Sequence, residues 1–287
     1  MIPSRLVRRL MLALCFSMVV AVVLAQAQQG DKEYVPVERQ NGKDVVWLPT
    51  AQALVDRMLD MAKVTSQDYV IDLGSGDGRL VITAAKRGAR ALGIEYNPDM
   101  VTFSKRAAAK EGVSDRAQFI KADLYESDFS QATVITMFLL PEINLKLRPR
   151  ILNLKPGTRI VSNSFDMSDW HADETFKVED ANLCKEYCTA YLWIVPAKVE
   201  GTWKLPQGEL ALQQTFQMIS GTLNSGGKMV AITNGRLKGE QISFSVGPTW
   251  YTGRVSGDAM SGTSGPGGGA STWTATRIGQ GAQAPSK

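Results

Sequence analysis

The chain is poor in the residues that bind transition metals and form nucleophilic triads. Its 287 residues include one histidine, His171, and three cysteines. Because Cys15 lies in an apolar N-terminal run, Cys184, Cys188 and His171 supply one ligand fewer than a four-ligand zinc site needs. The sequence therefore predicts no metal centre. His171 lies in a polar stretch and is interpreted as a loop residue rather than a catalytic base.

A hydrophobic run long enough for a membrane-spanning helix is also missing. The apolar segment Leu10–Leu24 falls short of the roughly 20 residues that cross a bilayer. It follows a cluster of arginines and precedes a small-x-small site at residues 25–27, the order found in secretory signal peptides. Residues 1–27 are therefore predicted to be a cleaved signal peptide rather than a membrane anchor, and the mature protein is expected to be periplasmic or secreted.

Excess positive charge is absent once that segment is removed. Arg5, Arg8 and Arg9 carry three positive charges, so the formal charge of +4 falls to +1 for the mature chain. This balance does not favour a nucleic-acid partner. The sequence leaves two states open for Cys184 and Cys188, a disulfide in an oxidising compartment or free thiols in a reducing one.

The strongest positive signal is a glycine-rich turn after a β-branched run. Residues Val70–Arg79 read V-I-D-L-G-S-G-D-G-R, which predicts a strand and a turn whose missing Cβ atoms let a ligand approach the backbone. A dinucleotide-binding turn has glycines at its first, third and sixth positions, and the sixth here is Arg79. That departure disfavours an NAD-linked oxidoreductase, which is kept as an alternative.

Strand and helix signals alternate over residues 47–197, a pattern typical of a parallel sheet covered by helices on both faces. After Pro196, short alternating runs between Gly, Asn and Asp turns predict a small antiparallel β meander or barrel. The predicted fold class is therefore α/β with a C-terminal β domain. The predicted divisions are a signal peptide (1–27), an N-terminal arm (28–46), the α/β domain (47–197), a glycine-rich β domain (198–279) and a disordered tail (280–287).

Three local predictions concern the surroundings of the turn. A strand-like run at Val45–Trp47 precedes a helix over Ala51–Val64, and this helix is expected to cap the nucleotide pocket. The run Ala132–Leu140 is almost wholly apolar and predicts a central strand. Pro141 begins a basic helical region, which Pro149 is expected to break or kink.

The pattern D-x-G-x-G-x-G, with Glu95 at the end of the next strand, resembles motif I and its acidic partner in class I S-adenosylmethionine (SAM)-dependent methyltransferases. The segments G-I-E-Y-N-P, F-L-L-P, P-G-T-R-I-V-S and D-W are similar to the lysine methyltransferases that modify the ATP synthase c subunit and the adenine nucleotide translocase, and to their bacterial relatives. The resemblance covers about Trp47–Val195. It implies a Rossmann-like class I methyltransferase sheet, SAM as the cofactor, and a segment with Trp47, Pro49 and Thr50 that closes over it.

The acidic residues at the strand ends take separate roles in this hypothesis, because ligands of open α/β sheets bind outside the carboxyl ends of the strands. Glu95 suits the ribose hydroxyls, since a carboxylate has two acceptor oxygens. Asp72 would accept from the methionine ammonium, and Asp123 either accepts from the adenine amino group or caps a turn. The predicted cofactor-binding residues are Asp72, Gly74, Ser75, Gly76, Gly78, Glu95, Tyr96, Asp123 and Leu124, and the acceptor-side candidates are Leu140, Pro141 and Trp170.

The predicted function is SAM-dependent transfer of a methyl group to a protein lysine or another amine by in-line displacement. Such a reaction depends on positioning and needs no catalytic triad. The Asn- or Asp-Pro-Pro-aromatic motif of many amino-methylating relatives is missing, and the pattern leaves N- and O-methylation open. The predicted signal peptide favours an alternative function. In this alternative the chain is a non-catalytic binding protein that keeps the nucleotide-binding fold and binds an envelope or membrane-associated partner through its β domain.

Overall fold

The computed structural model describes residues 34–266 and 271–278. The predicted signal peptide (1–27) and the predicted tail (280–287) lie outside these ranges. No helix within the described residues is both long and apolar enough to cross a bilayer. From residue 37 onward the chain forms one compact unit, in which an α/β domain is followed by a β-barrel.

The α/β domain is built on a mixed sheet, in agreement with the predicted fold class. Its strands are ordered β3-β2-β1-β4-β5-β7-β6, with the first five parallel and β7 antiparallel to both of its neighbours. The described helices are α1 (Gln52–Met61), α2 (Arg79–Lys86), α3 (Pro98–Lys110) and α4 (Pro141–Ile151). The strands are β1 (Tyr69–Leu73), β2 (Arg90–Glu95), β3 (Ala117–Lys121), β4 (Val134–Met137), β5 (Arg159–Asn163), β6 (Glu174–Lys177) and β7 (Thr189–Ile194).

The central strands carry apolar side chains on both faces because both faces are covered. In β1, Val70 packs in the core that includes α1 and α2, whereas Ile71 packs in the core that includes α4. β4 is central, as predicted, but it ends at Met137, where its pairing with Leu73 of β1 ends. The predicted strand is therefore too long, and Phe138–Leu140 leave the sheet.

Two further local predictions are wrong. Pro149 does not break α4, which continues to Ile151. Pro149 lies in the last turn of the helix. In the same turn, Arg150 donates a hydrogen bond from Nη1 to the carbonyl of Tyr125 in the neighbouring loop at 2.5 Å. The predicted strand at Val45–Trp47 is reduced to one antiparallel bridge between Asn41 and Val46.

The C-terminal module is a closed antiparallel barrel, one of the two forms predicted for it. Consecutive strands pair in order, and β15 returns to pair with β8 through Thr276–Lys204 and Arg277–Trp203. Trp203, Phe244 and Trp273 are buried in its packed core. The described strands are β8 (Gly201–Leu205), β9 (Gly208–Thr215), β10 (Met218–Ser225), β11 (Lys228–Lys238), β12 (Gln241–Val246), β13 (Thr249–Ser256), β14 (Ala259–Gly265) and β15 (Ser271–Arg277).

An aromatic junction joins the barrel to the α/β domain. The ring of Phe216, in the turn between β9 and β10, stacks on Trp170 at a centroid distance of 5.9 Å. Trp193 packs against Trp170 from the sheet and donates from its indole N–H to the Trp170 carbonyl at 2.7 Å. Arg236 of the barrel also forms an ion pair with the nearly buried side chain of Asp173, with 2.6 Å between Nη2 and Oδ1.

Candidate functional site

A cavity of about 420 Å³ lies at the carboxyl ends of the central strands. Its walls come from the turn after β1, from the loops after β2, β3 and β4, and from residues 40–50, here called the strap. The prediction that α1 caps this cavity is wrong. Among the described wall residues none belongs to α1, because the apolar stripe of that helix is buried in the domain core.

The strap is fastened to the glycine turn by Arg79. The guanidinium donates from Nη1 to the carbonyl of Thr50 at 2.6 Å, and its Nη2 pairs with the carboxylate of Asp77 at 2.6 Å. Asn163 holds the Thr50 hydroxyl from the end of β5 at 3.1 Å. In the sequence, Arg79 stands out only because it replaces the third glycine of a dinucleotide-binding turn. Its hydrogen bond to Thr50 was not predicted because Thr50 lies 29 residues earlier in the chain.

The glycine turn and Glu95 meet as the sequence predicts. Gly74 and Gly76 have φ angles of +77° and +51°, which favour glycine. The Gly76 amide donates to Glu95 Oε2 at 2.9 Å, and the other carboxylate oxygen accepts from the Asn97 amide at 2.9 Å. A Cβ on Gly76 would lie 2.4 Å from the indole nitrogen of Trp47, so the absence of a side chain lets the strap close against the turn.

Two of the predicted cofactor-binding residues contribute differently from the prediction. Gly78 is not among the described residues that line the cavity. A Cβ there would lie 2.7 Å from the ring of Phe119, so this glycine serves packing behind the turn. Ser75 does line the cavity, but its hydroxyl is buried without a hydrogen-bond partner in the described residues. The hydroxyl packs closely on Gly93, where an added Cβ would lie 2.5 Å from it.

Asp72 is a buried carboxylate in the cavity wall, with only 3% of its surface exposed. Among the described residues its carboxylate accepts one hydrogen bond, from the Thr136 hydroxyl at 2.7 Å. Burial raises the pKa of Asp72 to about 7, the negative charges of Asp77 and Glu95 add to this rise, and the Thr136 hydrogen bond opposes it. A cationic ligand would relieve this arrangement, because it stabilises the ionised form.

Asp123 lines the cavity and caps a turn, which is the second of its two predicted roles. One carboxylate oxygen accepts from the Tyr125 amide at 2.9 Å, and the other pairs with Lys43 of the strap at 2.5 Å. The Lys43 hydrogen bond, followed by that of the Tyr125 amide, holds the pKa of Asp123 below its usual range. Lys43 also lies 4.9 Å from the ring centroid of Tyr96. Tyr96 and Leu124, two further predicted cofactor-binding residues, also line the cavity.

The acceptor-side prediction needs correction at Trp170. Leu140 is 40% exposed and lines the cavity. Pro141 is the first residue of α4 and is not among the described wall residues. Trp170 is fully buried at the junction with the barrel and is likewise missing from the wall, because the chain after Phe165 turns toward the barrel.

Three aromatic rings, which here are called the aromatic cluster, form the wall on the side of Leu140. The ring of Phe138 lies 6.2 Å from that of Phe165 and 5.3 Å from that of Tyr187, and the latter two are 6.0 Å apart. All three residues line the cavity. Phe165 and Tyr187 were not predicted. The antiparallel direction of β7 brings the residues before it to the same sheet edge as the ends of β4 and β5, and no local pattern indicates that reversal.

Tyr187 belongs to a short loop that Cys184 and Cys188 close. Cys184 and Cys188 are disulfide-bonded, with their Cα atoms 5.7 Å apart. This settles the alternative that the sequence left open. The φ angle of Tyr187 is +57°, and Arg39 pairs with Glu186 of the loop at 3.0 Å.

The residues of the cavity fit a cationic, nucleotide-like cofactor. Gly74 and Gly76 leave the backbone of the turn without side chains in the cavity wall, where a Cβ would lie 3.0 Å from Leu139 and 2.4 Å from Trp47, respectively. The charged groups of the wall are five carboxylates and two cations, and each cation is paired with one of the carboxylates. A ligand with a sulfonium and an ammonium group complements this excess of negative charge. Within the described residues no group of three metal-ligand side chains is present.

Residues 72–174 match a family model described as the ANTKMT methyltransferase domain. A protein-lysine N-methyltransferase of Saccharolobus islandicus is 44% identical over 154 residues, which are 53% of this chain and 94% of that protein. A human lysine N-methyltransferase, whose name gives the ATP synthase c subunit as its substrate, is 34% identical over 131 residues. This match covers 45% of the chain and spans only 56% of the human protein.

Among solved structures, an RNA methyltransferase from Salinibacter ruber in complex with S-adenosyl-L-homocysteine is 45% identical. The match covers 53% of this chain and 96% of that one, with a TM-score of 0.49. The family model ends before β8 begins, so the barrel lies outside the residues that it matches.

Proposed function

Because this chain belongs to the family of SAM-dependent protein-lysine N-methyltransferases, we propose that it methylates the ε-amine of lysine in a protein acceptor. The observation that carries the proposal is the joint placement of Glu95, Gly76 and Asp72 around one cavity. The relatives named above supply the acceptor class. The lysine of the acceptor approaches from the side of Leu140, opposite the Lys43–Asp123 pair.

In this proposal the residues of the chain act by holding and orienting two reactants. SAM supplies a methyl group on a positively charged sulfur, which makes it a good electrophile. Asp72 and the backbone around Gly74 and Gly76 would hold the methionine end, Glu95 would hold the ribose, and Asp123 with Leu124 would hold the adenine. The apolar wall of Phe138 and Leu140 excludes water, which favours the neutral amine needed for attack.

Removal of the Glu95 carboxylate tests the cofactor site directly. We expect Glu95→Ala to weaken SAM binding by roughly 30-fold or more, because a charge-assisted hydrogen bond contributes about 1.5–3 kcal/mol and Glu95 also orders Gly76. Titration calorimetry of the mature protein with SAM measures the change. Glu111→Ala is the matched control, since Glu111 lies on the surface and pairs with Lys86 outside the cavity. Equal affinities for wild type and Glu95→Ala would contradict the assignment.

We also propose that the protein is exported and that its barrel binds an envelope partner. The signal-like residues 1–27 and the Cys184–Cys188 disulfide, which is a bond of oxidising compartments, support export. Expression of the full chain in a Gram-negative host should yield a periplasmic protein whose N-terminus is Gln28. Recovery in the envelope pellet would support the barrel partner, and an intact Met1 in the cytoplasm would contradict export.

A further inference from the structure

We propose that the aromatic cluster is the binding site for the acceptor's lysine side chain and that the Cys184–Cys188 disulfide positions Tyr187 in it. This inference rests on the proposed function, since it names the residues that select the amine. The disulfide is therefore expected to control acceptor binding while leaving SAM binding intact.

The placement of the cluster supports this role. Phe138 follows β4, Phe165 follows β5 and Tyr187 precedes β7, so three separate segments bring rings to one wall of the cavity. Phe138 and Phe165 are half-buried, whereas Tyr187 is 39% exposed. The cluster is thus half-buried at Phe138 and Phe165 and open to solvent at Tyr187, where an acceptor would enter.

The chemistry of the wall fits a lysine side chain. Its four methylene groups pack on aromatic surface, and the ring faces attract its ammonium as it enters, before the loss of a proton gives the neutral amine that attacks. The excess of carboxylates in the cavity attracts a cation and repels the phosphates of RNA. The Tyr187 ring is inclined by 56° to Phe138 and by 51° to Phe165, whereas Phe138 and Phe165 lie at 25° to each other, so the three rings surround a chain-like group from different directions.

The disulfide restrains the short loop that carries Tyr187. Tyr187 lies between the two bonded cysteines, and Cys184 is 5% exposed and anchors the loop. The Tyr187 ring also contacts Phe138 and Phe165, whereas the pair of Arg39 and Glu186 joins two groups that are more than 60% exposed, and such pairs contribute little. Without the disulfide the positive φ of Tyr187 would relax, because non-glycine residues disfavour that region.

Steady-state kinetics separates acceptor binding from cofactor binding. With SAM and a single-lysine peptide as the probe, we expect Tyr187→Ala to raise the KM for the peptide about tenfold. Tyr187→Phe keeps the ring and should stay within twofold of wild type. The double variant Cys184→Ala/Cys188→Ala should reproduce the Tyr187→Ala change. In all three variants the calorimetric Kd for SAM should be unchanged.

A second measurement uses the wild-type protein and avoids any folding defect of the variants. A phosphine reductant converts the disulfide to two thiols as the phosphine becomes its oxide, with oxygen from water. The KM for the peptide should then rise about tenfold at constant SAM affinity. Unchanged KM values in Tyr187→Ala and in the reduced protein would overturn the proposal, as would an equal loss of SAM binding.

Failure of the proposed function gives a different result. If SAM binds but no lysine peptide is methylated, binding of n-butylammonium to the protein loaded with S-adenosyl-L-homocysteine still tests the cluster. Binding that Tyr187→Ala weakens would support the cluster, and lack of binding would overturn it. Methylation of an RNA oligonucleotide in place of the peptide would overturn both proposals.

Discussion

Replacement of Asp72 by Asn is expected to weaken SAM binding by roughly 100-fold and to stabilise the protein above pH 7. The loss follows because the buried carboxylate is the proposed partner of the SAM ammonium, and breaking a buried charge pair costs about 3–5 kcal/mol. The protein is expected to become more stable because Asn fills the same space as Asp without a buried charge. Calorimetry with SAM and urea unfolding at pH 8 measure the two effects, and Asp115→Asn, on the exposed surface, is the control.

The stabilisation should depend on pH with a defined sign. Asp72 keeps its proton up to about pH 7 in the folded protein, whereas its ordinary pKa is 3.8. Between these values the folded state holds one proton more, so this group lowers the free energy of unfolding as the pH rises from about 4 to 7. Above about pH 7 this decrease in the free energy of unfolding is complete, and it amounts to about 4 kcal/mol. The stability difference between Asp72→Asn and wild type should therefore grow from pH 5 to pH 8, and a constant difference would contradict this account.

Replacement of Trp170 by Ala is expected to lower the free energy of unfolding by about 3–5 kcal/mol, the cost of deleting a large buried aromatic side chain. Trp170 is fully buried and contacts both Trp193 of the sheet and Phe216 of the barrel. Urea unfolding followed by circular dichroism measures the loss. Because Trp170 is not part of the cavity wall, the Kd for SAM of the folded variant should stay within a factor of about three.

Trp170→Phe provides the matched control, since it keeps a ring at the junction and should lose less stability than Trp170→Ala. The opposite pattern would be informative. Unchanged stability of Trp170→Ala with a raised KM for the acceptor would restore the interpretation of Trp170 as an acceptor-side residue.

The local parts of the fold were predictable because their signals lie within a few residues of each other. The sequence predicts a third strand over Ala117–Lys121, and β3 has these bounds. Asn97 caps α3 by accepting from the Asp99 amide at 2.9 Å, and Pro98 occupies the first turn. The contact between the glycine turn and Glu95 was likewise predictable, since adjacent parallel strands end at the same edge of a sheet.

The parts that were not predictable depend on distant chain segments. Arg79 reaches back to Thr50, and only the folded chain shows that residues 40–50, rather than α1, cover the cavity. Tyr187 joins Phe138 because β7 runs antiparallel to β5. Trp170 looked like an acceptor-side residue because it belongs to a segment that is similar to the family, although its burial comes from the barrel, which that resemblance does not include.

The closure of the barrel has a consequence for solubility. In the described part of the chain, β15 pairs with β8 at Thr276–Lys204 and Arg277–Trp203, and this pairing closes the barrel, so that neither strand is left as the open edge of a sheet. Removal of β15 by proteolysis would leave the edges of both β14 and β8 unpaired. By closing the barrel, the last described strand removes a sheet edge through which copies of the protein could aggregate.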